Sequence, residues 1–194
     1  VEDMREVLES NLEDLRRMAA MVGDMLFLSR ADQGVGARET GVVSLAAVAQ
    51  DVVEFYEAVA LDADLRLEVV GDAQAQVDAP LMRRALSNLL SNATRYALPG
   101  SSIRIDIRNR WQHEHAHAVI SVTNIGADIA PQHLRHLFDR FYRADASRHN
   151  SERNHGLGLA IVKAIAKMHG GSVFAQSQGG ATTFGLILPV APVP

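Results

Sequence analysis

Leu81-Met82-Arg83-Arg84-Ala85-Leu86-Ser87-Asn88-Leu89-Leu90-Ser91-Asn92-Ala93-Thr94-Arg95-Tyr96 carries two patterns at once. Leu86, Leu90, Ala93 and Ala97 recur at helical spacing and form an apolar stripe. Asn88, Asn92, Arg95 and Tyr96 lie on another face, three and four residues apart. The spacing predicts a helix from Pro80 to about Ala97, stopped by Pro99-Gly100. Asparagine is a mediocre helix former, so two of them in mid-helix need a reason. Carboxamide oxygens are hard, neutral ligands that suit Mg²⁺ held jointly with phosphates. Arg95 adds a charge for a phosphate oxygen, and Tyr96 a ring that can pack on a base. Taken alone, the helix is explained equally well by surface amides making local hydrogen bonds.

Outward from this helix the pattern is mixed. Ser44 can cap a helix running to about Leu61, and Leu65, Leu67 and Val69 alternate as a strand ended by Gly71-Asp72. A brief strand is expected near Gln76–Val77. Ile103, Ile105 and Ile107, then Ala118, Ile120 and Val122, read as a hairpin joined by a polar, His-rich loop. A short helix is expected over Ala130–Leu137, a loop over Arg143–Asn154, and a helix over Leu157–Met168 closed by Gly170-Gly171. Strands near 172–176 and 182–188 finish the domain. The class is α+β: locally paired strands with helices gathered on one face make a two-layer α/β sandwich rather than a doubly wound sheet.

In front of it, Leu8, Leu12, Leu15, Ala19, Val22 and Leu26 recur at alternating steps of four and three, the period of a bundle seam. One long bundle helix is expected over residues 1–34, a Gly-rich linker over 35–41, and the mixed domain over 42–190. A start at Val1 rather than Met suggests a piece of something longer.

Composition narrows the function. The 194 residues are 47% hydrophobic and 22% charged, ordinary for a globular chain. A net charge of −4 gives no bulk attraction for nucleic acid, and the absence of cysteine excludes disulfides, thiolate metal sites and cysteine nucleophiles. No apolar run approaches the ~20 residues of a membrane span. His113-Glu114-His115-Ala116-His117 fits the H-E-x-x-H zinc pattern, but that chemistry needs a helical turn. In an extended hairpin the outer histidines would stand about 13 Å apart, at ~3.3 Å per residue.

Two further runs carry candidate chemistry. Asn124-Ile125-Gly126 ends a strand, where a fixed polar side chain beside a glycine can read an adenine edge; the string is also a common turn. His155-Gly156-Leu157-Gly158-Leu159 opens a helix, exposing N–H groups and the positive dipole end to phosphate. It is not a dinucleotide fingerprint, and Gly-x-Gly at a helix start is more often packing than ligand.

Taken in order, the N-x-x-x-N-A-x-R-Y helix, the N-x-G strand end, Phe138-Asp139-Arg140-Phe141-Tyr142-Arg143, the G-L-G-L-A-I-V-K helix start and Gly179-Gly180-Ala181-Thr182-Thr183-Phe184 resemble the boxes of sensor histidine kinases over nearly the whole chain. The resemblance implies an ATP-binding sandwich of the Hsp90, topoisomerase and histidine kinase type, preceded by the second helix of the dimerisation and phosphoacceptor hairpin. It implies ATP and Mg²⁺ as cofactors, with Asn92 on the metal and Asn88 supporting the metal–phosphate cluster. Arg95 would reach phosphates and Tyr96 would lie beside the adenine. Asn124 occupies the place of the Asp that accepts the adenine amine. Gly126, Ile129 and Thr182 belong to the same cofactor-binding set, as do Gly156, Leu157, Gly158 and Leu159. Arg143 and Arg148 would meet phosphates from a mobile lid.

Asp128 and Asn154 stand where glycines are usual, which puts the lid geometry in question. The Asn124 variant and the Asp24–Asp32 helix end are similar to heavy-metal sensor kinases of the copper/silver and cobalt–zinc–cadmium type. The resemblance further implies a homodimer through the first helix, a response-regulator receiver as partner, and a cytoplasmic place in a bacterial inner-membrane protein.

None of the eight histidines sits in a phosphoacceptor setting, so ATP binding without self-phosphorylation is expected. Two other readings are a hydrolase like Hsp90 and a catalytically silent docking module. The first is disfavoured because Asn88 stands where a basic Glu would activate water, and an amide cannot take that proton. The departures at Asn124, Asp128 and Asn154 favour the second.

Overall fold

Two short polar side chains set where the helical layer begins. Ser44 closes β1 (Gly41–Ser44) and caps α2 (Leu45–Asp62), its Oγ accepting the Ala47 N–H at 3.1 Å. Asp78 caps α3 (Ala79–Tyr96) in the same way, accepting the Leu81 N–H at 3.1 Å. Each satisfies a donor that a helix start leaves free. The computed structural model describes residues 2–34, 36–37, 40–112, 115–144 and 155–190.

The remaining elements are α1 (Glu2–Asp32), β2 (Arg66–Val70), β3 (Gln74–Val77), β4 (Ser102–Gln112), β5 (His115–Ile125), α4 (Pro131–Leu134), α5 (Gly158–Met168), β6 (Ser172–Gln178) and β7 (Ala181–Pro189). Five strands form one sheet in the order β2-β4-β5-β7-β6, and α2, α3 and α5 cover one face of it. Ile105 and Ile107 stand opposite Val122 and Ile120 across the β4–β5 pair, and these four, with Ile103 and Ala118, are buried under the helices. This is the expected two-layer sandwich.

Several local expectations need correction. Strand pairing is not all local: β2 runs parallel to β4, with β3 and α3 between them in the chain. A parallel neighbour needs such a crossover. The mixed domain begins one residue before Val42, because β1 starts at Gly41, inside the expected linker, and pairs antiparallel with β3. The hairpin strands are far longer than the apolar alternation suggested. His115 and His117 lie within β5, opposite Gln112 and Arg110, rather than in a loop. His113 and Glu114 fall outside the described residues.

Helix α1 has two faces of different use. Leu28 is buried, and Met21 and Phe27 pack against the domain core. Arg84 of α3 pairs with Asp24 at 2.6 Å and lies over the Phe27 ring at 4.1 Å; Arg140 reaches Asp32 at 2.6 Å. The seam at Leu8, Leu12, Leu15, Val22 and Leu26 faces solvent instead. Among the described residues, no helix is long and apolar enough to cross a membrane.

At the turn after β2, Asp72 ties the sheet to α2. Burial alone would raise its carboxyl, but the Ala46 N–H, the Ser44 hydroxyl and the Ala73 N–H donate to it and hold it below its ordinary 3.8. The unfolded chain therefore binds this proton more readily than the folded one. The stabilisation is present above about pH 4 and is lost as pH falls through the lower folded value. Asp72→Asn is expected to lower the urea midpoint at neutral pH and to flatten its decline below about pH 4. Equal acid slopes in the two proteins would contradict this.

Candidate functional site

A cleft of roughly 320 Å³ opens between the C-terminal half of α3, the end of β5 and the start of α5. That size falls in the range of small-molecule sites. Asn88, Asn92, Arg95, Tyr96, Asn124, Ile129, Arg143, Gly156, Gly158, Leu159 and Thr182 all line it. Of the other residues singled out in the sequence, Gly126 and Leu157 stand just behind the lining. Leu157 is buried in the core, and a Cβ at Gly126 would lie 2.4 Å from the Tyr96 carbonyl oxygen. Arg148 and Asn154 lie outside the described residues.

The two asparagines of α3 project one turn apart because their neighbours Leu86, Leu89, Leu90 and Ala93 are buried on the opposite face. Asn88 donates through Nδ2 to the Arg84 carbonyl at 3.0 Å. Its Oδ1 packs on Gly158, where a Cβ would come within 2.9 Å. Asn92 is half-buried, and its carboxamide bonds to no other described residue. Helix α5 starts at Gly158 with no side-chain cap, so its first N–H groups lack a partner there. Together with Arg95 and Arg143, that helix end makes this part of the cleft suited to an anion. Among the described residues no cluster of three His, Asp or Glu could hold a metal ion. A divalent cation here would draw on neutral amides and on oxygens of whatever is bound, a donor set that fits Mg²⁺ beside phosphate.

The other end is built around a buried amide. Asn124 is only 2% exposed and lines the cleft, directly opposite Thr182 across the β5–β7 pair. Thr182 and Ser177 share a hydroxyl hydrogen bond of 2.8 Å, and the Ile129 N–H donates to Ser177 Oγ at 2.8 Å. Asp128 accepts the N–H groups of Gly179 and Gly180 at 3.1 and 2.9 Å. The departure from glycine at Asp128 thus shapes the β6–β7 turn, a role the sequence did not disclose.

Further lining residues escaped the sequence reading, notably His133 and Leu137. The Tyr142 hydroxyl and His133 Nδ1 share a 2.6 Å hydrogen bond; Tyr142 lay in a quoted run, but nothing in the pattern marked His133. Behind them Asp139 is held below the usual carboxylate range, first by the hydrogen bond from His136 and further by Lys163. Phe141 and Gly156 are tied to each other through the backbone. The Phe141 N–H donates to the Gly156 carbonyl at 3.0 Å. Gly156 has φ +69°, and a Cβ there would sit 2.9 Å from the Phe141 backbone, so only glycine fits.

Residues 77–192 match the family model described as histidine kinase-, DNA gyrase B- and HSP90-like ATPase. The chain belongs to this ATPase family. Sensor histidine kinase CusS of Escherichia coli O157:H7 is 46% identical over 188 residues, which is 96% of this chain and 38% of CusS. Sensor protein CzcS of Cupriavidus metallidurans is 40% identical over 185 residues, 95% of this chain and 38% of CzcS. The chain thus spans 38% of the length of each of these two curated relatives. In fold it resembles the histidine kinase AdeS of Acinetobacter baumannii, with a TM-score of 0.77, 94% of this chain and 83% of AdeS covered, and 22% identity. The resemblance to sensor histidine kinases, including those of heavy-metal type, is borne out by these relatives.

Membership of the ATPase family leaves the packing behind the cleft as a direct structural test. Gly126→Ala is expected to destabilise the fold by about 1–3 kcal/mol, because backbone meets the added methyl. Gly158→Ala should cost less, since the Asn88 carboxamide can swing away. Urea denaturation of the two variants checks the order, and equal costs would refute it.

Proposed function

We propose that this chain is the ATP-binding catalytic part of a two-component sensor histidine kinase. Residues 1–34 are then the second helix of its dimerisation hairpin, 35–41 a linker and 42–190 the catalytic domain. The reading rests on one convergence: two carboxamides of α3, the uncapped start of α5 and the buried amide of Asn124 all face a single cleft.

Bound Mg²⁺ would neutralise charge on the triphosphate. Asn92 would hold it, with Asn88 bracing the α5 start through its contact at Gly158. Arg95, Arg143 and the α5 N–H groups would orient the phosphates, and Asn124 and Tyr96 the base. The γ-phosphoryl group would pass to a histidine of the dimerisation hairpin, which is none of the eight here, and then to an aspartate of a response-regulator receiver. Asn88, beside the start of α5, is an amide whose N–H bonds to the Arg84 carbonyl and whose oxygen cannot take a proton from water, so this position supplies no general base. The relatives named sensor kinases support this reading, as does their heavy-metal character, and on it the parent protein is membrane-embedded with this part in the cytoplasm.

The exposed α1 stripe supports a homodimer. Burying each of its large side chains stabilises by roughly 1.5–3 kcal/mol, and Leu8, Leu12, Leu15, Val22 and Leu26 have no cover.

Two measurements test these readings. Calorimetric titration with a non-hydrolysable ATP analogue and Mg²⁺ is expected to show saturable heat, weakened at least tenfold in Asn92→Ala, with only slow phosphate release from ATP itself. No heat from the unmodified chain refutes the nucleotide reading. Sedimentation is expected to show self-association that Leu15→Glu with Val22→Glu abolishes; a monomer at high concentration refutes the dimer.

A further inference from the structure

We infer that the buried end of the cleft reads position 6 of a purine without fixing its polarity, so that the site takes 6-oxopurine triphosphates, inosine and guanosine, as well as ATP. The inference rests on the nucleotide-binding reading above and concerns which bases that site admits.

The argument is an inventory of the polar groups at that end. Asn124 is 2% exposed, lines the cleft and bonds to no other described residue through its side chain. A carboxamide carries an acceptor on one branch and two donors on the other. Turning it by a half rotation about its last torsion exchanges the two, and no internal hydrogen bond is broken by doing so. Thr182, opposite it, is equally reversible. Its bond to Ser177 can run in either direction, and the Ile129 N–H keeps Ser177 Oγ in place both ways.

The one acceptor-only side chain in the described lining is the Asp128 carboxylate, and each of its oxygens already accepts an N–H of the β6–β7 turn, from Gly179 and Gly180. Among the other described side chains of the lining, none is acceptor-only, so none of them dictates the polarity at the base. A carboxylate at position 124 would behave differently. It accepts from the 6-amino group of adenine and, in the same pose, repels a 6-oxo oxygen. Asn124 meets the amino group with Oδ1 and the oxo group with Nδ2–H. Buried sites built for one polarity reject the other by roughly 10⁴–10⁵-fold, because a desolvated group is left unpaired. The two described side chains that face each other here, Asn124 and Thr182, can each present either polarity, so neither must be left unpaired.

The test titrates the whole chain, with Mg²⁺, against ATP, ITP and GTP as their β,γ-imido analogues. ITP differs from ATP only at positions 6 and 1, and so isolates the amino-to-oxo change from the extra 2-amino group of guanine. The expected result is a Kd for ITP within about tenfold of that for ATP. Asn124→Asp should then shift the ratio toward ATP by tenfold or more. Asn124→Ala should weaken both ligands by a similar factor, which keeps the test decisive where the buried carboxylate does not fold. An ATP preference of a hundredfold or more in the unmodified chain overturns the inference and leaves nucleotide binding intact. So does an Asn124→Ala variant that loses affinity for one ligand alone, or for neither. Absence of binding by all three ligands removes the nucleotide reading itself, and the inference with it.

Discussion

The cleft depends on how α3 is clamped. Met82, Ala85, Leu86, Leu89, Leu90 and Ala93 are each 2% exposed or less, so this helix has no freedom to roll. Each large member contributes roughly 1.5–3 kcal/mol by its burial. That fixed azimuth is what makes Asn88, Asn92, Arg95 and Tyr96 a set, since a turn of the helix would carry all four out of the cleft together. The clamp extends to α5 through contact rather than covalent linkage. Asn88 Oδ1 occupies the space that a side chain at Gly158 would need, so the amide and the helix start are positioned by one another. At the start of α3, the Asp78 N–H donates to Nε2 of His169, whose Nδ1–H donates to the Ile165 carbonyl. Helix α5 is thus tied to α3 at both of its own ends.

Helix α1 couples to the same frame. Asp24, Leu28 and Asp32 recur every four residues and so share a face, and all three contact the domain. Arg84, which holds Asp24, also supplies the carbonyl that accepts from Asn88. The ion pairs are half exposed and worth little singly. Their value is directional: they set which face of α1 meets the domain, and thereby leave the heptad face outward.

The elements legible in the sequence were those whose side chains repeat at a fixed period. α1, α3, α5 and the middles of β4 and β5 all fell where apolar spacing put them. β1 escaped because it is short, Val42 is exposed, and its partner β3 lies some thirty residues away, so no local alternation marks it. The outer parts of β4 and β5 read as loop because Asn109 follows Ile107 on the apolar face and the run toward His117 is polar and rich in histidine. The ladder hydrogen bonds there need no apolar side chain. In the cleft, most of the chosen residues gathered as expected, since a helix face and two glycine-marked turns are local patterns. The turn-holding role of Asp128 was not legible for the opposite reason. Its partners, Gly179 and Gly180, are some fifty residues distant, and only the folded β6–β7 turn brings their N–H groups to it.

An amide at position 124 is also a compromise between the empty and filled states of the cleft. At 2% exposure, an ionised carboxylate without partners would oppose folding by several kcal/mol, or would take up a proton to avoid doing so. A neutral carboxamide in the same place opposes folding far less, because it carries no net charge to desolvate. The corresponding loss falls on binding. A hydrogen bond to a charged acceptor contributes about 1.5–3 kcal/mol, against about 0.5–1.5 for a neutral one. On the proposed nucleotide reading, the chain gives up base affinity for a site that does not strain the empty fold, and retention of the ligand would shift to the phosphate end. There Arg95, Arg143 and the start of α5 supply positive potential, and the neutral amides of α3 add no repulsion. On that reading, the arrangement would draw its affinity from the polyphosphate more than from the base.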